Sequence, residues 1–76
     1  MTIAEITTLL AKHTGRHRKI EAGTPVLSTG LLDSYHFAAF LESLRSRFHV
    51  TIDVVDIGVD NFDTPTQMLA FLRGRQ

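Results

Sequence analysis

The segment Gly30-Leu31-Leu32-Asp33-Ser34 marks the point where a loop gives way to a helix. Loop-forming residues end at Thr29-Gly30, and from Tyr35 onward Phe37, Phe40, Leu41, Leu44 and Phe48 recur at helical spacing. The spacing predicts a helix from about Ser34 to Phe48. Ser34 then falls in the first turn, where backbone amides lack intrahelical acceptors and the helix dipole favours negative charge. A phosphate carried on Ser34 would lie in that field, so the segment reads as an attachment point for a phosphorylated group. The same residues also suit plain capping, because Asp and Ser are frequent N-caps. The register of the remaining chain decides between the two readings.

Downstream, Val50-Thr51-Ile52-Asp53-Val54 alternates like a strand, but the chain offers no partner strand for its backbone groups. It is expected to be an extended connector that buries Val50 and Ile52. Val54 to Val59 suggests a short third helix, interrupted by Gly58. The last helix has the clearest start. Thr64-Pro65-Thr66-Gln67 combines a cap residue, a proline at the first helical position and a glutamine three residues after the cap. Met68, Leu69, Phe71 and Leu72 form its buried face, and Gly74 ends it.

Upstream, Ile3, Ile6, Leu9, Leu10 and His13 mark one face of a first helix, with Thr2 as its cap and Gly15 as its stop. Arg16 to Gly30 contains Gly23, Pro25 and Gly30 and no sustained period, so it reads as a long loop. Loops of that length in small domains are usually functional or packed down, and Val26, Leu27, Leu31 and Leu32 are the expected tethers. The fold class expected is all-α: a small bundle of three main helices and one short helix, in one domain covering residues 1–76. The expected core contains Ile6, Leu10, Phe37, Leu41, Leu44, Phe48, Ile52, Phe62 and Leu72.

Composition narrows the function. The 76 residues include no cysteine, which excludes disulfides and thiolate metal sites and fits a reducing compartment. No apolar run is long enough to span a bilayer, so no membrane insertion is expected. Met1-Thr2-Ile3-Ala4-Glu5 lacks the basic-then-apolar pattern of a secretory signal, and a cytoplasmic location is expected. Eight acidic residues balance eight basic ones, which argues against a dedicated nucleic-acid binder. The basic run Arg16-His17-Arg18-Lys19 has no interleaved aromatic residues and reads as a solvated loop.

Other chemistries find little support. His13 and His17 are four apart, but Gly15 lies between them and no third ligand is near, so no metal site is expected. Asp33, Ser34 and His36 do not make a catalytic triad. Residues one and two apart on a helix point in different directions, which turns His36 away from Ser34. The Gly-Lys-Ser/Thr of a phosphate-cradling loop is absent. The second helix carries Tyr35, Ala38, Ala39, Glu42, Arg45 and Ser46 off its core stripe. An exposed ring beside small residues and a modifiable serine suits a docking partner, although an ordinary solvated face has the same look.

These residues resemble a known family, the phosphopantetheine-dependent acyl and peptidyl carrier proteins. Gly30-Leu31-Leu32-Asp33-Ser34 is similar to that family's attachment motif, and the likeness continues in register through Phe48, Val50, Ile52 and Val54 to Asn61-Phe62-Asp63-Thr64-Pro65. It covers about Val26 to Leu72, and the first helix agrees in pattern only. Leu-Leu-Asp-Ser followed by aromatic-Asp-Thr-Pro looks most like the D-alanyl carriers and other free-standing aminoacyl carriers. The resemblance implies a four-helix carrier without catalysis of its own. Ser34 would carry covalent 4′-phosphopantetheine, derived from coenzyme A, with Asp33 helping to position the arm. It implies three partners: a phosphopantetheinyl transferase, an adenylating or acyl-loading enzyme and a downstream acyl-accepting enzyme. Tyr35, Ala38, Ala39 and Glu42 would form the partner surface, with Thr29 and Leu32 at its loop edge.

Two departures stand out. Tyr35 follows the serine where the family usually has leucine or methionine. Arg45 and Arg47 occupy a helix on which Glu42 is the only acid, whereas fatty-acid carriers present an acidic second helix. Charge steering would then select partners with less basic docking surfaces, away from general fatty acid synthesis. The expectation is a monomeric, free-standing carrier of an aminoacyl or acyl thioester. The alternative, from another class, is a small helical adaptor or nucleic-acid-binding module without a prosthetic group.

Overall fold

The computed structural model describes residues 1–14 and 19–75. Among these residues four α-helices follow one another: α1 (Ile3–His13), α2 (Ser34–Phe48), α3 (Val59–Phe62) and α4 (Pro65–Arg73). A 3-10 turn at Val54–Asp56 precedes α3, and no strand occurs among the described residues. The all-α class and the three main helices agree with the hydrophobic spacing.

Helix ends form where local chemistry allows. Thr2 caps α1, its hydroxyl accepting from the Glu5 amide at 3.2 Å. Glu5 lies in the first turn and Lys12 and His13 in the last, each on the side the helix dipole favours. Thr64 caps α4 reciprocally: its hydroxyl accepts from the Gln67 amide at 3.2 Å, and the Gln67 side-chain oxygen accepts from the Thr64 amide at 2.9 Å. Gly74 closes that helix as expected. Helix α1 ends at His13 with Thr14 as its C-cap; Gly15, the expected stop, lies outside the described residues. Helix α2 ends on His49, which adopts the left-handed conformation (φ 54°) and donates its amide to Arg45 O at 2.9 Å.

One expectation changes. The segment from Val54 to Val59 is not a single helix. It divides at Ile57-Gly58 into the 3-10 turn and α3, with extended backbone at Ile57 and Gly58 as the N-cap of α3. Val54 and Val55 sit on the outside of the turn and bury no face, so nothing holds them in a longer helix.

Helix α1 packs on α2 and α4, and α3 packs on α4. Their apolar faces meet in one cluster in which Ile6, Leu10, Phe40, Leu44, Phe62, Met68 and Leu72 are fully buried. Leu41 and Phe37 belong to the same cluster, whereas Phe48, expected inside, lies half-buried against its edge at the end of α2. Val50 and Ile52 are buried by the extended connector, as expected. The described part of the segment before α2, residues 19–33, is packed down, with Ile20, Val26 and Leu32 inserted into the core and Leu27 and Leu31 against it. That packing fixes where Ser34 stands.

Candidate functional site

Asp33, not Ser34, is the N-cap of α2. Its backbone is extended, and its side-chain Oδ1 accepts from the His36 amide at 2.8 Å. The same oxygen lies 2.8 Å from His36 Nδ1, so His36 binds the cap with both its backbone and its ring. The His36 amide, followed by the His36 ring, holds the Asp33 carboxyl below its ordinary range. Ser34 is therefore the first residue inside the helix. Its side chain is exposed, and its hydroxyl has no hydrogen-bond partner among the described residues. The His36 ring is turned to Asp33 rather than to the serine. The hydroxyl is thus open at the positive end of a 15-residue helix.

The loop leading to Ser34 is tied in two layers. The outer tie is Asp63, the residue between α3 and the cap of α4. Its backbone carbonyl accepts from the Val26 amide at 2.7 Å. Its carboxylate accepts from the Leu27 amide (2.9 Å), the Ser28 amide (2.9 Å) and the Ser28 hydroxyl (2.8 Å). These donors hold the Asp63 carboxyl below its ordinary range, with the Ser28 amide the largest cause. The inner tie runs within the loop. Leu27 O accepts from the Gly30 amide at 3.1 Å, Val26 O from the Leu32 amide at 2.9 Å, and Pro25 O from the Thr29 hydroxyl at 2.8 Å. Gly30 occupies the left-handed region (φ 73°), which this turn requires and which a side chain would strain. Farther back, Ala22 O accepts from both the amide (3.0 Å) and the hydroxyl (2.9 Å) of Thr66 on α4.

The expected partner surface is only partly assembled. Tyr35 is 78% exposed and stands edge-on to the His36 ring at 5.2 Å. Ala38 and Glu42 are exposed on the same helix, Ala39 is half-buried, and Thr29 is exposed on the adjoining loop. Leu32 is not part of this surface. It is 3% exposed and belongs to the core, because the turn that presents Asp33 outward drives the preceding side chain inward. Half-exposed Leu31 takes its place beside the site. Arg45, expected on the open face, folds back: its guanidinium donates to Ile52 O at 3.1 Å and lies 3.6 Å from the Glu42 carboxylate. Arg47 remains exposed, with its guanidinium over the Phe48 ring.

Sequence reasoning missed two residues. His36, which the helical spacing turns away from Ser34, secures the cap; an Asp followed three residues later by His at a helix start is the sequence signal for it. Asp63 stands out in the sequence only as part of Asn61-Phe62-Asp63-Thr64-Pro65. Its partners lie 35 and 36 positions away, and no local pattern announces them.

The other candidates lead elsewhere. His13 Nε2 lies 3.1 Å from Ser43 Oγ, and its ring meets Phe40 edge-on at 6.0 Å. Burial, then the nearby charges of His36 and Lys12, lowers its pKa. His17, four positions on, lies outside the described residues, as do Arg16 and Arg18 of the basic run. Lys19, the last of that run, is exposed and 3.8 Å from Glu21. Among the described residues no group of three or more potential metal ligands forms, and no helix is long and apolar enough to cross a membrane. No protein-family model matches this chain, and comparison with curated proteins finds no significant match.

Proposed function

We propose that this chain is a carrier protein whose Ser34 bears 4′-phosphopantetheine and which presents an aminoacyl or acyl thioester to partner enzymes. The observation that carries the reading is the open Ser34 hydroxyl at the first position of α2, with Asp33 beside it already occupied in capping the helix. A prosthetic arm needs a hydroxyl that is reachable, and a phosphodiester gains from the helix dipole at that end. The exposed side chain and the N-terminal position fit both needs. The thiol of the bound arm would hold the acyl group. The rest falls to the chain's own residues. Ser34 Oγ would form the new bond to phosphorus and lose its proton, while the nucleotide portion of coenzyme A leaves. Among the described residues no side chain is bonded to that hydroxyl to take the proton, so a phosphopantetheinyl transferase would supply the base. Asp33 would keep the end of α2 intact and hold the serine outward.

Tyr35, Ala38 and Glu42, with Thr29 and Leu31 alongside, are the surface offered to that transferase, to an adenylating or acyl-loading enzyme and to an acyl-accepting enzyme. The reading makes the protein a monomeric carrier in the cytoplasm, a reducing compartment that suits a chain without cysteine. Co-expression with a broad-specificity phosphopantetheinyl transferase, followed by intact-mass measurement, tests it. The expected result is a gain of one phosphopantetheine group that coenzyme A analogues can replace. An unmodified mass with an active transferase would favour the adaptor reading.

A further inference from the structure

We infer that Asp63 is the positioning residue of the Ser34 loop, holding it in the one conformation that a modifying enzyme can engage. The inference rests on reading Ser34 as the attachment serine; the hold itself is independent of that reading.

Residues 26–33 belong to no helix, so their backbone groups need partners from elsewhere. One residue supplies them for three consecutive positions. Asp63 accepts from Val26, Leu27 and Ser28 amides and from the Ser28 hydroxyl, at 2.7–2.9 Å. The Val26 bond is to the backbone carbonyl, whereas the three to the carboxylate are charge-assisted and stronger than neutral ones. The three neighbouring carbonyls, of Pro25, Val26 and Leu27, then hold Thr29, Leu32 and Gly30. Leu32 directly precedes the Asp33 cap, and Ser34 follows. The sequence of bonds therefore runs from Asp63 to the serine without Asp63 touching it.

Asp63 is itself well anchored. Phe62 before it is fully buried, and Thr64 after it makes the reciprocal cap of α4, with buried Pro65 next. Few other residue types would serve. Asn retains an oxygen for the Leu27 and Ser28 amides, and the Ser28 hydroxyl can turn to accept from its NH2. Ala leaves all three donors to water. If the loop samples other conformations, the affinity of any enzyme that needs this one falls by the fraction that remains competent. Bound substrate then reacts normally, so KM rises while kcat stays.

The experiment has two arms. In the first, amide hydrogen exchange is measured on the unmodified wild type, Asp63→Ala and Asp63→Asn. Asp63→Ala should speed exchange at Leu27, Ser28, Gly30 and Leu32, leaving Leu9 and Leu10 of α1 unchanged. Asp63→Asn should speed the same four by a smaller factor. Unchanged exchange at these amides in both variants overturns the inference, and so does acceleration spread equally over α1. Should Asp63→Ala fail to fold, the Asp63→Asn comparison decides alone. In the second arm, transferase kinetics on folded Asp63→Ala should show KM raised roughly tenfold with kcat within about twofold. A fall in kcat at unchanged KM overturns the positioning role. If the wild type accepts no arm at all, the attachment reading fails, and the exchange arm still decides whether Asp63 holds the loop.

Discussion

Asp33 and His36 share a single oxygen: Asp33 Oδ1 lies 2.8 Å from both the amide and the ring Nδ1 of His36. The cap that starts α2 is thereby locked from two directions, one of which depends on a side chain. The folded protein holds Asp33 below its unfolded value of 3.8, chiefly through the His36 amide. For an acid with a depressed folded pKa, the unfolded state takes up protons first as pH falls. The stabilisation is therefore present above the unfolded value and is lost as pH falls through the folded one. Asp33→Ala should lower the denaturation midpoint at neutral pH, and the difference from wild type should shrink on acidification through that range. An equal difference at all pH values would mean that the carboxylate is not what stabilises the helix start.

Ser34→Ala should leave stability within about 0.5 kcal/mol of wild type, since Ser34 is exposed and caps nothing. The same change should abolish any mass gain under transferase treatment. Mass gain in the Ser34→Ala protein would move the attachment to another residue.

Much of this was legible because the decisive signals are local. Thr64-Pro65-Thr66-Gln67 specifies its capping box within four residues, and the stripe from Phe37 to Leu44 specifies the face of α2. Other features were not legible because they are decided at a distance. Leu32 reads equally as tether or surface residue until the bond from its amide to Val26 O orients it inward. The Val54–Val59 stretch is made of β-branched residues, Asp56 and Gly58, all weak helix formers, so only contact with a core could make it one helix, and Val54 and Val55 have none. Asp63 is the extreme case, because its partners come from the other half of the chain.

Leu44 is fully buried where α2 meets the common core. Leu44→Ala should cost about 2–5 kcal/mol, from lost burial and the cavity left behind. A single core of this size supplies roughly 3–5 kcal/mol, so the variant should be largely unfolded at room temperature. Urea denaturation monitored by circular dichroism measures this directly. A variant with wild-type stability would place Leu44 outside the cooperative core.

His13 provides a second pH dependence. Its folded pKa is lowered, first by burial and then by His36 and Lys12, while in the unfolded chain it titrates near 6.5. The unfolded state therefore binds a proton more readily, and stability rises with pH between the folded value and 6.5. The protein should be more stable just above that window than just below it. His13→Gln, which can still reach Ser43, should reduce the difference. A pH dependence identical in the variant would assign the effect to other groups.

If the chain is the carrier proposed above, its cargo is expected to be an amino acid or another small polar acyl group rather than a long chain. Storing a long chain requires space between the helices. Here that space holds a connected set of rings: Phe37 meets Phe40 at 6.5 Å and Phe62 at 5.8 Å, and Phe62 meets Phe71 at 5.3 Å. Phe40 and Phe62 are fully buried, and packed rings, edge-to-face at Phe37–Phe62 and Phe62–Phe71 and tilted at Phe37–Phe40, leave few voids. Sequestering a chain would force this cluster apart, and moving packed side chains off their rotamers costs about 1–3 kcal/mol. A small cargo would stay in solvent beside Tyr35 and leave the rings alone. The measurement is a comparison of amide chemical shifts for the holo protein loaded with an amino acid and with a medium-chain acyl group. Both loaded forms should differ from the unloaded one only near Ser34. Shifts spread through Phe37, Phe40, Phe62 and Phe71 in the acyl form alone would show that the core opens, and the case for a small cargo would fail.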